Sequence, residues 1–322
     1  MPAKSLNRLS LSHGGTTQQE AASGAPRDTV QRKTMNTVSF ALVFSLTLAV
    51  FWTPLRMLLW FSMQEEQYSH ILLIPVVSAF LLLRDRRAIF SNVETGWRAG
   101  LGLLVAGALF AWFGQRYSVS LSENDQLRIT AFSVVVIWVG GFILCYGLRV
   151  FRAALFPVLF LFFIVPIPDV LLNRAIVWLQ SGSAEVSYAL FQLVGVPVFR
   201  TGFIFALPGV TIEIAKECSG IRSSLALLIT SLLAGHLLLR FIWTKAVFIL
   251  VTIPLLIVKN GVRSVTLSLL SIYVDPSFLT GRLHRDGGIL FFLLALVILM
   301  PLLWLLQQHE RRRRSISGTT TS

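Results

Sequence analysis

Charge is scarce in this chain. Only 13% of its 322 residues are Asp, Glu, Lys or Arg, about half the share of a soluble domain. Acidic residues are the scarcer kind, 15 against 28 basic ones, for a formal net charge of +13. Cysteine occurs twice, as Cys145 and Cys218, and the two lie in runs of different character. They supply neither a disulfide framework nor a Cys/His metal-ligand spacing. No cofactor motif, no internal repeat and no polar stretch long enough for an independent soluble domain is present. What fills the chain is apolar: 55% of residues are hydrophobic and the mean hydropathy is +0.73. This composition excludes an ordinary soluble fold and describes an all-α polytopic membrane protein.

A membrane helix needs about 20 apolar residues. Eight candidate spans follow: approximately Val38–Trp60, Ile71–Leu83, Gly100–Tyr117, Ile129–Tyr146, Ala153–Ile167, Ile221–Leu239, Ala246–Val258 and Ile289–Leu306. Residues 1–36 are polar and rich in Ser, Thr, Gly and Gln, with no small-residue cleavage pattern behind a short apolar core. They read as a disordered tail and not a removable signal. Residues 37–308 then form the membrane domain, and 309–322 form a basic tail. With eight spans the loops alternate sides, and 17 of the 28 basic residues, including Arg84, Arg86, Arg87, Arg98, Arg149, Arg152 and Arg311 to Arg314, fall on one side with only 5 of the 15 acidic ones. The positive-inside rule makes that side, with both termini, cytoplasmic. The basic excess is therefore a topology signal, and no nucleic-acid partner is expected.

The polar stretches at 64–70, 118–126, 169–216 and 259–288 accordingly face outward. Within 169–216, Val170–Leu193 reads as an amphipathic helix at the interface. Alternating residues over Val198–Ile214, with Pro208-Gly209 in the middle, read as a short hairpin. At the end of that stretch, Glu217-Cys218-Ser219-Gly220-Ile221-Arg222 places Cys218 in or near the first turn of the sixth span. Helix amides and a cation there favour the nucleophilic thiolate. Arg222, four residues on, shares that helical face, while Glu217 opposes the shift. The alternative is a small cysteine packed between helices, which is also the role assigned to Cys145.

Arg263 follows the outward end of the seventh span in Lys259-Asn260-Gly261-Val262-Arg263. It either snorkels to headgroups or supplies a guanidinium to an oxyanion or thiolate. His284 precedes the eighth span, also on the outer side, and is either solvated or a proton carrier. Cys218, Arg263 and His284 together suffice for acyl transfer. Their convergence is a question for tertiary structure.

With these residues in view, the chain resembles the exosortases, integral-membrane cysteine transpeptidases of the exosortase and archaeosortase family. Glu217-Cys218-Ser219-Gly220-Ile221-Arg222-Ser223 resembles the family's nucleophile motif and Asn260-Gly261-Val262-Arg263 its Asn-x-x-Arg motif. His284 with Gly288 and Phe292 resembles its last motif. Tyr68-Ser69-His70 and the proline turn Ile164-Val165-Pro166-Ile167-Pro168 resemble two further elements, although Ile71 stands where the family's early element has glycine. The resemblance implies a catalytic triad of Cys218, Arg263 and His284 on the periplasmic face of a bacterial inner membrane. Arg222, Asn260, Ser219 and His70 would be supporting residues. It implies substrates that are secreted proteins with a C-terminal sorting signal, such as a Pro-Glu-Pro motif followed by a helix and a basic tail. Membrane lipids and exopolysaccharide synthesis machinery are the other implied partners, with no metal or cofactor.

Two rivals remain. Glu65-Glu66 is similar to part of the motif of glutamate-dependent intramembrane proteases, but His70 replaces that motif's arginine. A non-catalytic transporter or polysaccharide-assembly component would use Arg263 and His284 to line a path or bind anionic lipid.

Overall fold

In the computed structural model, residues 17–64, 66–117, 122–214, 220–279 and 282–319 are described, without the side chains of 17–33, 66–67, 279, 282–287 and 314–319. They are predominantly helical and fall into two compact units. One comprises the described residues of Met1–Leu58 and Pro75–Ile164, the other those of Leu59–Ile74 and Val165–Ser322.

The first unit holds α1 (Thr17–Val50) and most of α2 (Trp52–Gln64), α3 (Leu73–Arg84), α4 (Arg86–Ile89), α5 (Trp97–Arg116), α6 (Glu123–Ala153) and α7 (Leu155–Phe160). The apolar run expected as one span over Val38–Trp60 bends by 76° between α1 and α2. Pro54 accounts for the break: it lacks an N–H, and its ring would collide with the carbonyl of Val50 in a continuous helix. The helices α5 and α6 pack through small residues. A Cβ at Gly100 would stand 2.5 Å from the backbone of Leu144, and one at Gly140 would stand 2.9 Å from Leu104 N. In a membrane chain, where no hydrophobic effect drives helices together, such close backbone approach supplies the association energy through van der Waals packing. At its start, α6 is capped by Ser122, whose Oγ accepts from Asp125 N at 3.1 Å.

The second unit contains a 3-10 turn (Glu66–Leu72), α8 (Asp169–Leu193), a small sheet, α9 (Ile221–Leu238), α10 (Ile242–Tyr273) and α11 (Arg282–Thr319). The sheet is an antiparallel meander of β1 (Phe199–Thr201), β2 (Ile204–Leu207) and β3 (Val210–Glu213). Thr201 pairs with Ile204 and Leu207 with Val210, leaving two-residue loops. Gly202 takes φ +62° at the first loop position, as a type II′ turn requires; Pro208-Gly209, with φ +78° at the glycine, fits a type II turn. Phe205, Val196 and Ile214 pack with Phe191 of α8 and Val265 of α10 into a closed apolar core. Arg200 reinforces this junction, bonding Glu185 of α8 at 2.9 Å and lying over the Tyr188 and Phe205 rings.

A second core joins α8, α9, α10 and α11 through Leu179, Leu227, Phe248, Leu256, Ala295 and Leu299. At the start of α10, buried Glu310 of α11 accepts from the amides of Arg240 and Phe241, both at 3.0 Å, and from Thr244 Oγ1 at 2.5 Å. A distant carboxylate thus caps the helix in place of a local Ser or Asp.

Five described helical segments are long and apolar enough to cross a membrane: Trp97–Arg116, Glu123–Ala153, Ile221–Leu238, Ile242–Tyr273 and Gly288–Arg313. Two broken pairs raise the number to seven, against the eight spans expected. The difference lies in the short runs. Ile71–Leu83 belongs to a shorter apolar segment, Tyr68–Arg84, and Ala153–Ile167 becomes α7 with a 3-10 turn, counted as a span only together with α8. The amphipathic segment Val170–Leu193 is helical, as α8. The expected hairpin is present and gains a third strand. Helix also extends to Thr17 and to Thr319, into segments expected as tails, because Gln, Glu, Ala and Arg in those segments are good helix formers that propagate an existing helix.

Candidate active site

Gly220 is the N-cap of α9 and adopts φ +72°, ψ 18°, a left-handed conformation that costs a side-chain-bearing residue about 1–2 kcal/mol. A Cβ there would also lie 2.5 Å from Asn260 Oδ1. The glycine of the cysteine motif is therefore packed directly against the asparagine of the Asn-x-x-Arg motif. Asn260 is 1% exposed, and its Nδ2 donates to Ser183 Oγ of α8 at 3.0 Å. The next residue holds the same seam, since a Cβ on Gly261 would strike Val186 Cγ1 at 2.6 Å.

The other flank of the cysteine segment is held by the same helix. Gln180 of α8, 4% exposed, donates through Nε2 to the carbonyl of Ile214, and Ile214 N donates to Phe203 O at 3.0 Å. Gln180 and Ser183 are one turn apart on α8, so Ile214, at the end of the sheet, and Gly220, by way of Asn260, both stand against one turn of that helix. Residues 215–219 between these anchors, which include Cys218 and Ser219, lie outside the described residues. Cys218, expected in or near the first turn of this helix, stands two positions before its N-cap, Gly220, in sequence.

Arg263 is half-buried one turn beyond Asn260. Both were expected in an outward loop after a span ending at Val258, but α10 runs unbroken to Tyr273. The run of polar residues ends the hydropathy signal there without ending the helix, because buried tertiary partners satisfy them. Lys259 is one of these residues and was not anticipated as part of the site: it is 5% exposed, and Nζ donates to Ser223 Oγ at 2.5 Å and Ser224 Oγ at 3.5 Å, in the first turn of α9. Gln180, Ser183 and Lys259 escaped sequence reasoning because Ser, Gln and Lys carry no spacing signal of their own.

Arg222 is exposed in the first turn of α9. Tyr68-Ser69-His70 occupies the 3-10 turn that packs on α9, with Tyr68 buried against Phe61 and His70 half-buried. His284 lies in the first turn of α11, and its side chain is outside the described ones. Farther along α11, Phe292 packs on the same core as Ile221, the first residue of α9. Of the rival glutamate pair, Glu65 and the side chain of Glu66 fall outside the described residues. Among the described residues, no three His, Cys, Asp or Glu side chains gather where a metal ion could be held. The structure thus brings together Gly220 and Asn260, with Arg263 one helical turn on, while the early Tyr-Ser-His element packs on α9.

Compared with known families, residues 60–301 match that of the transmembrane exosortases. No curated protein and no solved structure matches the chain.

Proposed function

The chain belongs to the transmembrane exosortase family, and from that membership we propose that it is a membrane-embedded cysteine transpeptidase. It cleaves the C-terminal sorting signals of secreted proteins at the outer face of a bacterial inner membrane. One observation carries the assignment of the site: the two ends of the five-residue stretch containing Cys218 are tied to Gln180 and, through Asn260, to Ser183, one turn of helix apart, with Arg263 a turn beyond Asn260. Anchoring Ile214 and Gly220, the residues that flank the Cys218 segment, against one turn of α8 is what positioned nucleophilic catalysis needs.

The depth of the site fits this role. Lys259 lies 17 residues into α10, about 26 Å along its axis, close to the far boundary of a hydrocarbon core about 30 Å thick. A substrate helix lying beside the protein would present its peptide motif at that boundary.

In the reaction, the Cys218 thiolate attacks the carbonyl carbon of the scissile peptide bond, forming a C–S bond and a tetrahedral oxyanion that Arg263 stabilises through charge and two directed donors. Collapse breaks the C–N bond as His284 gives a proton to the leaving amine. The thioester acyl-enzyme then passes its acyl group to an amine or to water, His284 takes the proton of that nucleophile, and the free thiolate is restored. The secreted substrates would belong to exopolysaccharide-associated export.

The test is mass spectrometry, in the native host, of the C-terminus of a secreted protein bearing a candidate sorting signal. With Cys218→Ala, the defined cleavage is lost and precursor accumulates in the membrane. Unchanged processing would overturn the cysteine mechanism.

A further inference from the structure

The first unit contains a cavity that peptide-bond chemistry leaves unexplained. Phe40 and Phe44 of α1, Ser78 and Leu82 of α3, and Trp138 and Phe142 of α6 line it, and its volume is about 170 Å³. Ser78 is buried and donates its hydroxyl to the Pro157 carbonyl at 2.7 Å, so it offers little to a polar guest. An apolar cavity of about 150 Å³ stays dry and takes up benzene, and a lining left without neighbours forfeits its dispersion contacts. Hydrocarbon is therefore what this space accepts. Ala79 also lines the cavity and is exposed, on a stretch of α3 whose Val76, Phe80 and Leu83 are exposed apolar residues. Such a face meets lipid chains in a bilayer, so the opening lies where an acyl chain can enter sideways.

Charge identifies the rest of the guest. Along the cavity α1 and α6 run antiparallel: Phe44 meets Trp138 at 4.6 Å between ring centres, Phe40 meets Phe142 at 5.8 Å, and Tyr146 donates to Thr37 at 3.4 Å. Phe90, which follows Arg86 and Arg87, packs on Phe142 and Tyr146. Glu94 donates its amide to the Tyr146 carbonyl and accepts from Arg149 at 2.7 Å. The Tyr146 end of this helix group therefore carries Arg84, Arg86, Arg87, Arg149 and Arg152, all exposed, against the exposed acids Asp85 and Glu94. Arg149 pairs with Glu94 and Arg84 with Asp85, which leaves Arg86, Arg87 and Arg152 outside any ion pair among the described residues. The positive-inside rule accounts for arginines at that end but not for an apolar cavity beside them. We propose that the cavity is a binding site for an anionic membrane phospholipid. One acyl chain lies among Phe40, Phe44, Trp138 and Phe142, and the phosphate pairs with Arg86, Arg87 and Arg152. Every residue of this site belongs to the first unit, so the proposal is independent of the transpeptidase chemistry assigned to the second.

The experiment is native mass spectrometry of the full-length protein released from detergent micelles, after adding equal amounts of phosphatidylglycerol and phosphatidylcholine with identical acyl chains. The protein retains one phosphatidylglycerol about tenfold more often than one phosphatidylcholine, since each arginine near an anionic headgroup favours it about fivefold. Replacing the three exposed arginines together, by Arg86→Gln, Arg87→Gln and Arg152→Gln, brings the two lipids to within about twofold of each other. Ala79→Phe fills the mouth of the cavity and lowers retention of both lipids severalfold. Equal retention of the two lipids by the unaltered protein, or a preference that survives the arginine replacements, would overturn the proposal. So would undiminished retention by folded Ala79→Phe, which would leave the lipid on the outer surface of α3, or retention of a free fatty acid in place of the phospholipid. Should Ala79→Phe fail to fold, the arginine replacements, all at exposed positions, decide the matter.

Discussion

Gly220 carries two constraints at once, a left-handed backbone and a 2.5 Å approach to Asn260. Either alone would favour glycine; together they make the position intolerant of the smallest side chain. Gly220→Ala is expected to cost about 1–2 kcal/mol in backbone conformation and to push Asn260 off Ser183. Processing of a sorting-signal substrate should fall more than about tenfold, because a displacement of about 1 Å in a catalytic constellation carries a penalty far larger than its effect on folding. Normal processing by Gly220→Ala would mean that the Gly220–Asn260 seam does not position the nucleophile. Asn260 and Arg263 were legible in the sequence as a motif, and Gly220 as part of one. Lys259, adjacent to Asn260, was not: a lysine at the end of an apolar run reads as an interfacial charge, and only the hydroxyls of α9 identify it as buried.

At the scale of the elements, α10 illustrates where hydropathy stops being a guide. Its 32 residues span about 48 Å, well beyond the apolar run Ala246–Val258, and its second half carries Asn260 and Arg263 as helical residues. Its start is equally nonlocal, since Glu310, nearly 70 residues away, caps it through two backbone amides and Thr244. Glu310→Ala would leave these donors buried without that acceptor and should destabilise the protein by about 1–3 kcal/mol. A thermal melt in detergent with an unchanged midpoint would remove the cap from the account. In the sheet the outcome was closer to expectation. Alternation and Pro208-Gly209 located one hairpin, and the third strand, β1, escaped because three residues are too few to show a period of two.

At the scale of the whole molecule, the charge asymmetry predicts which ends of the helices face the cytoplasm. In a protein lacking Cys145 and Cys218, Ser277→Cys, exposed beyond α10, should react with an impermeant thiol reagent in intact cells. Arg312→Cys, exposed near the end of α11, should react only after the membrane is opened. The reverse pattern would invert the orientation and place the candidate site in the cytoplasm.

The sequence alone determined that this is a helical membrane protein with an excess of basic charge, and that Cys218, Arg263 and His284 sit in motifs similar to those of the exosortases. These properties are additive over short windows: apolar content, charge sums and residue order. Tertiary structure decided that Gly220 meets Asn260, that one turn of α8 holds both flanks of the cysteine segment through Gln180 and Ser183, and that Lys259 is buried against Ser223. The physical reason is that burying a polar group in a membrane protein is tolerable only when a partner satisfies it. Here those partners lie 34 to 77 residues away in sequence, a separation that no local periodicity records.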